Sequence, residues 1–244
     1  MILDIANFRF LCYNTQMTEM NKICFLRALF EREADLISSG NGRFPGFYQC
    51  KAGLRFELSP DVWDPVRRYY VWDREQAMRR ATAICERLPA PVKLLRLKTF
   101  PSERYARSQK KHMSRLCERA GLGKPMCIAR AKECAVDDLH GGMEIEEGEL
   151  FYWCLTSSFR LRSLLGELYS DRYYTAFNRQ SVFLIDTRTH VAFHPYEEGA
   201  DVTALDPRTI LYLYKELNDW ILEYDRKRID AVFAGLSDES SGGK

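Results

Sequence analysis

The segment that most constrains the fold spans residues 181–233, where two short apolar runs precede a long amphipathic pattern. The runs at residues 182–186 and 190–194 are rich in Val, Phe and Ile, and a polar connection at residues 187–189 separates them. Two such runs around a short polar connection predict a β-hairpin. We expect this hairpin to form one side of the core.

A long helix is predicted to follow the hairpin. Asp206 can cap the first free N–H groups, and Pro207 lacks only a donor that has no partner at the first helical position. Apolar residues then recur every three or four positions, which predicts a helix with one buried face. These residues are Ile210, Leu213, Tyr214, Leu217, Trp220, Ile221 and Tyr224. A charge run at residues 225–228 predicts a break before a short final helix.

Three short segments resemble a known family. They are residues 218–226 with Ile229 and Asp230, the step His194-Pro195-Tyr196 before acidic residues, and the run Gly-Leu-Arg-Phe-Glu-Leu at residues 53–58. Together they resemble the bacterial family catalogued as domain of unknown function three-eight-eight-five. The resemblance implies a cytoplasmic bacterial protein without an established activity, and some members look like immunity proteins encoded beside toxins. The family pattern has an Arg after the acidic pair, whereas Gly199 follows Glu198 directly here, so no role of that Arg is carried over.

Length and composition limit the organisation of the chain. With 244 residues, of which 46% are hydrophobic, the chain suits one domain with a substantial core. We expect that domain over residues 18–236, between an N-terminal extension at residues 1–17 and a disordered tail at residues 237–244. The formal net charge of +2 gives no global reason to expect nucleic acid as a partner.

Cysteine usage and hydropathy indicate a cytoplasmic location. The chain has eight cysteines, and none forms a Cys-x-x-Cys pair, which favours reduced thiols over a disulfide framework. No apolar run approaches the length of a membrane span. The first residues make a poor signal peptide because Asp4 and Arg9 interrupt them.

The remaining patterns predict an α+β fold. Helices are expected at residues 18–37, at residues 72–88, after Pro101 and after Ser157, and strands at residues 52–58, 92–100 and 150–156. Arg55 and Glu57 share one face of the first strand, and we interpret them as members of cross-strand ion pairs on a solvated face. Hairpins mix with helices without regular βαβ alternation. The predicted fold is a mixed, mainly antiparallel sheet packed by helices on one side, with the C-terminal hairpin-plus-helix unit.

The middle segment, residues 102–149, divides into two blocks of opposite charge. Residues 102–132 carry nine basic and two acidic side chains, and residues 133–149 carry seven acidic and no basic ones. Four basic residues, Arg104, Arg107, Lys111 and Arg115, have helical spacing and would form one stripe. This stripe could bind RNA, but the adjacent acidic block would repel phosphates, so mutual neutralisation of the two blocks is the preferred interpretation.

One group of polar side chains is a candidate for catalysis or ion binding. The chain contains no glycine-rich phosphate loop and no Gly-x-Ser-x-Gly elbow. His190 and His194 are assigned to one strand, where they would be some 13 Å apart and too distant for one ion, so no metal and no cofactor is predicted. His194, Glu197, Glu198 and Asp201 could provide acid–base chemistry or bind a hard cation. An acidic loop beside a partly buried His is the preferred interpretation, because no nucleophile accompanies these residues.

The sequence therefore favours a binding protein over an enzyme. The most concrete expectation is an immunity-type protein that neutralises a basic toxin, since exposed charge of one sign suits electrostatically steered association. The expected partner-binding residues are acidic: Asp137, Asp138, Glu144, Glu146, Glu147, Glu197 and Glu198. An enzyme centred on residues 194–201 is the alternative, and an RNA-binding protein is a weaker one.

Overall fold

The computed structural model describes residues 19–39, 45–60, 62–66, 68–88, 93–99, 115–122, 128–131, 149–156, 159–168, 181–196 and 199–236. None of the helices in these ranges is long and apolar enough to cross a membrane. The segments 1–17 and 237–244, which the sequence sets apart from the domain, lie outside them, as does most of the charged middle segment.

The centre of the fold is a seven-stranded sheet with the strand order β1-β9-β8-β7-β4-β6-β5. Every neighbouring pair in this sheet is antiparallel. A separate two-stranded ribbon joins β2 to β3. The strands are β1 (Ala52–Glu57), β2 (Val62–Asp64), β3 (Tyr69–Val71), β4 (Lys93–Thr99), β5 (Ile128–Ala131), β6 (Glu149–Thr156), β7 (Ser181–Asp186), β8 (Val191–Pro195) and β9 (Gly199–Ala204).

Five α-helices of the described residues pack around the sheet or follow its strands in the chain. They are α1 (Glu19–Ser38), α2 (Arg74–Glu86), α3 (Leu161–Leu168), α4 (Leu211–Glu216) and α5 (Arg226–Phe233). Short 3-10 turns lie at Phe47–Gln49 before β1, at Pro207–Ile210 between β9 and α4, and at Asn218–Trp220 and Glu223–Asp225 between α4 and α5. A further helical segment spans residues 115–119. The α+β class and the C-terminal helical unit are confirmed.

Alternate residues of the central hairpin point into two different cores. Val182 and Leu184 of β7 pack with residues of α2, α3 and α4 in the larger cluster. Phe183 and Ile185 pack with Leu26 and other residues of α1 in the second cluster. Because neighbouring residues on a strand point to opposite faces, α1 covers the face opposite to α2 and α3. The sequence predicted helices on one side of the sheet, whereas in the structure α1 packs on the other side.

Aspartate side chains cap the starts of two elements. Asp73 caps α2, where its carboxylate accepts a hydrogen bond from the backbone N–H of Gln76 at 2.9 Å. Asp206 accepts from the N–H of Arg208 at the start of the 3-10 turn that begins with Pro207. The β7–β8 hairpin is also confirmed. The ribbon β2–β3 was not predicted from the sequence.

The prediction for His190 was wrong. It lies in the turn between β7 and β8 with φ of +53°, not in a strand with His194. Its Nδ1 is 2.7 Å from Oε2 of Glu33, a completely buried carboxylate on α1. The hairpin turn is therefore joined to α1.

The long C-terminal helix was also predicted incorrectly. The chain leaves the helical conformation at Leu217, and Ile221 forms an antiparallel bridge with Phe56 of β1. The N–H of Leu222 donates to the carbonyl of Arg55 at 2.8 Å. β1 is an edge strand whose outer backbone groups otherwise lack a ladder partner. Pairing with that edge replaces the helical hydrogen bonds lost between α4 and α5.

Candidate functional site

A buried ion pair between two neighbouring strands forms the centre of the site. Arg55 of β1 and Asp201 of β9 are direct partners in the antiparallel register. The guanidinium donates from Nε to Oδ1 at 2.8 Å and from Nη2 to Oδ2 at 3.1 Å, a bidentate arrangement. The side chains of Arg55 and Asp201 are only 17% and 5% exposed. Register alone therefore brings opposite charges together inside the protein.

A third chain segment completes this network. Asp225, in the 3-10 turn before α5, is 5% exposed and accepts from Nη1 of Arg55 at 3.3 Å. The hydroxyl of Tyr48 donates to Oδ1 of Asp225 at 3.1 Å. The hydroxyl of Tyr196 donates to Oδ1 of Asp201 at 3.1 Å. We call these five residues the Arg55 cluster.

Aromatic rings enclose the guanidinium of Arg55. Its central carbon lies 4.7 Å from the ring centroid of Phe47, 4.6 Å from that of Tyr48 and 5.9 Å from that of Tyr196. Contacts of this kind between a cation and a ring face are attractive. The rings also separate the ion pairs from bulk water, which strengthens their electrostatic interaction.

Two glycines allow these rings to approach the sheet. A Cβ on Gly53 would lie 2.9 Å from Cδ2 of Phe47. A Cβ on Gly199 would lie 2.7 Å from the carbonyl oxygen of Phe56 and 3.0 Å from the hydroxyl oxygen of Tyr196. The position of Tyr196 over the cluster therefore requires a residue without a side chain at position 199.

The charges of the cluster are mutually stabilised. Burial acts to lower the pKa of Arg55, but the hydrogen bond and the charge of Asp201 outweigh it, so this pKa is raised. The pKa of the Tyr48 hydroxyl is also raised, because burial and the Asp225 carboxylate outweigh the opposing charge of Arg55. Arg55 thus stays charged and Tyr48 stays protonated.

A surface of aromatic and basic side chains covers the cluster. Tyr48 is 45% exposed, and Tyr224, which precedes Asp225, is 86% exposed. Arg228 lies 5.2 Å from the Phe47 centroid and 5.5 Å from the Tyr48 centroid. Its Nη2 donates to the carbonyls of Tyr48 and Cys50 at 3.4 and 3.3 Å. Lys51 follows Cys50 and is exposed. We call Tyr48, Lys51, Tyr224 and Arg228 the Tyr48 surface.

The candidate acid–base residues are only partly brought together. His194 and Asp201 are register partners on β8 and β9. The ring of His194 stacks on Phe183, with centroids 4.0 Å apart and planes 6° apart. The carboxylate of Asp201 accepts hydrogen bonds from Arg55 and Tyr196. Glu197 and Glu198 lie outside the described residues.

The predicted charged surfaces fall mostly in segments that the structure does not describe. Asp137, Asp138, Glu144, Glu146 and Glu147 lie outside the described residues, as do Arg104, Arg107 and Lys111. Of the basic stripe only Arg115 is described, exposed at the start of the helical segment 115–119. Within the described residues no group of three or more His, Cys, Asp or Glu side chains could hold a metal ion.

Sequence reasoning recognised Arg55 but misjudged its surroundings. The cross-strand ion pair of Arg55 is confirmed, whereas the solvated face predicted for it was wrong, because Asp201 is buried and the Arg55 side chain is only 17% exposed. Tyr48, Asp225 and Arg228 were not proposed as site residues. The available signal was the clustering of Asp225 with family-like residues near the C-terminus, but no sequence rule pairs that segment with β1.

A family model covers most of the chain. The model described as "Domain of unknown function (DUF3885)" matches residues 34–225. The chain belongs to the DUF3885 family. No curated protein and no solved structure matches it. The three segments that carry the resemblance to DUF3885 each supply one residue to the Arg55 cluster, namely Arg55, Tyr196 and Asp225. Asp201 links the first two of them.

Proposed function

We propose that this DUF3885 protein is a binding protein that acts through association with another protein, most concretely by neutralising a toxin. The observation that supports the proposal is the Tyr48 surface, where two tyrosines and an arginine are exposed above a rigid buried network. Tyr and Arg are the residues most enriched, with Trp, among those that dominate binding energy at protein interfaces.

The Arg55 cluster supports this role by fixing the surface before a partner arrives. Tyr48 is hydrogen-bonded to Asp225 and lies over Arg55. Arg228 is fixed by two carbonyl groups. Side chains that are already ordered lose less conformational entropy on binding, which raises affinity. A network of buried ion pairs is thus explained as a support for the surface above it.

A bacterial cytosolic setting is part of the proposal. Cys24, Cys50, Cys85 and Cys117 are free thiols, as expected in a reducing compartment. Toxin neutralisation adds that the partner is harmful when expressed alone. The acidic residues between Asp137 and Glu147 stay a predicted second contact, for a basic region of the partner.

The test compares capture of a partner by wild-type protein and by two surface variants. Tagged wild type, Tyr224→Ser and Leu205→Ser are recovered from the native host, and any co-purified protein is produced separately and titrated by calorimetry. Leu205 is the control because it is 45% exposed and lies outside the Tyr48 surface. We expect a stoichiometric complex that Tyr224→Ser weakens by about tenfold or more and Leu205→Ser by less than about twofold.

Toxin neutralisation is tested with the same partner. Expression of the partner alone is expected to arrest growth, and co-expression of wild-type protein, but not of Tyr224→Ser, is expected to restore it. A partner that binds all three proteins equally would contradict the assigned surface. A wild-type protein that binds no protein would overturn the proposed function itself.

A further inference from the structure

Four carboxylates next to the Tyr48 surface already have partners within the chain, although Glu223 is itself 83% exposed. Asp201 and Asp225 are bound to Arg55 and buried. Glu223 accepts from Nε of Arg226 at 2.6 Å. Asp230 accepts from the hydroxyl of Tyr214 at 2.9 Å. Four acidic groups near this surface are therefore each engaged with an internal donor.

The basic groups of the surface have no such carboxylate partner. Within the described ranges, the hydrogen bonds of Arg228 go to two backbone carbonyls, through Nη2. None of these four carboxylates forms an ion pair with Arg228 or Lys51. Nε and Nη1 of Arg228 remain as charged donors on a side chain that is fixed in place and exposed. Arg228 and Lys51 thus present two positive charges for which the described residues provide no carboxylate partner.

We infer that the Tyr48 surface binds an acidic segment of a partner protein, with a carboxylate of the partner paired to Arg228 and Lys51. This inference rests on the proposed function and names the chemistry of the partner. A hydrogen bond between a guanidinium and a carboxylate is charge-assisted and about twice as strong as a neutral one. The exposed rings of Tyr48 and Tyr224 supply apolar contact beside that charge pair.

The geometry favours an acidic protein segment over nucleic acid. Single-stranded nucleic acid binds where successive bases stack on open aromatic rings along a basic groove. Here the guanidinium groups of Arg55 and Arg228 already lie over the Tyr48 ring, at 4.6 and 5.5 Å from its centroid. A base stacked on Tyr48 would have to displace one of these groups, whereas a carboxylate can accept from Nε and Nη1 of Arg228 without any displacement.

The experiment measures binding of two labelled probes by fluorescence anisotropy. The probes are an oligoglutamate peptide and an oligouridylate RNA of equal charge, and the proteins are wild type, Arg228→Glu, Lys51→Glu and Arg79→Glu. Arg79 is the matched control, since it is exposed on α2 and has the same charge. We expect the peptide to bind wild type and the control alike. Arg228→Glu and Lys51→Glu should each weaken it by about tenfold, and a rise in salt should weaken binding to wild type.

Lys51→Glu keeps the test valid if Arg228→Glu disturbs the fold, because no hydrogen bond or ion pair of Lys51 is present among the described residues. Peptide binding that all three variants lose equally, or that none loses, would overturn the inference. So would RNA that binds more tightly than the peptide. If the peptide test fails while Tyr224→Ser still loses its protein partner, the proposed function stands and only the acidic character of the partner is excluded.

Discussion

Arginine–carboxylate pairs occur in two contrasting regions of this protein. In the Arg55 cluster the guanidinium is 17% exposed and both of its carboxylates are 5% exposed. On the helical side, Arg87 and Glu216 form a pair at 3.3 Å, but they are 40% and 55% exposed. The chemical groups are the same in both regions, and only their access to water differs.

This difference decides what each pair can do. Exposed pairs contribute roughly 0 to 1 kcal/mol, because water screens them and two long side chains must be ordered. A buried pair stabilises little relative to an apolar core, but removal of one partner leaves an uncompensated charge. The Arg55 cluster also joins residues 146 and 170 positions apart in the chain. It therefore fixes the relative positions of segments that are distant in the chain.

The largest expected effect comes from removal of Arg55. Arg55→Met leaves Asp201 and Asp225 buried without their cation, and we expect a loss of about 3 to 5 kcal/mol in the free energy of unfolding. Urea denaturation followed by circular dichroism measures this loss. The matched change Arg87→Met in the exposed pair should reduce stability by less than about 1 kcal/mol.

A rescue variant separates charge from packing. Adding Asp201→Asn and Asp225→Asn to Arg55→Met removes both uncompensated charges, and this triple variant should be more stable than Arg55→Met alone. Equal losses for the Arg55 and Arg87 variants would refute the distinction between the two regions.

A smaller effect is expected at Gly199, where Tyr196 folds over the cluster. Gly199→Ala places a Cβ 2.7 Å from the carbonyl oxygen of Phe56, so the backbone must shift. We expect a loss of about 1 to 3 kcal/mol, typical of overpacking in a well-packed site. A Cβ at Gly235 meets no atom within 4 Å, so Gly235→Ala should change stability by less than about 0.5 kcal/mol. Thermal unfolding of both variants checks the pair, and similar values would show that the site is loosely packed.

The smallest expected effect is the pH dependence of stability that comes from the buried thiol of Cys50. Burial raises the pKa of Cys50 from 9.0 to about 11, against an opposing hydrogen bond with Thr203. The folded protein holds the thiol proton more tightly than the unfolded chain does. The resulting contribution to the free energy of unfolding is therefore complete below the pKa of Cys50 in the unfolded chain, and it is lost as the pH rises towards the pKa of Cys50 in the folded protein. From about pH 8 to about pH 10, wild type should lose about 1 kcal/mol relative to Cys50→Ala. Urea titrations at both pH values measure it, and parallel curves would contradict the shift.

Local sequence signals predicted the elements well but predicted the site only in part. Asp206 caps the turn that its sequence position indicated. The face of Arg55 and Glu57 was recognised from alternation in β1, but alternation does not say whether that face meets water or another segment. The small ribbon β2–β3 was missed because strands of three residues carry too short a pattern.

The sequence by itself determined the class of the fold. Apolar residues repeat every two positions in strands and about every 3.6 positions in helices, and both patterns depend only on neighbours along the chain. Only the tertiary structure decided that Asp225 reaches Arg55 and that Ile221 bridges Phe56 instead of continuing a helix. These contacts depend on burial of charge and on an unpaired strand edge. Both arise only when distant segments pack together, so no local pattern encodes them.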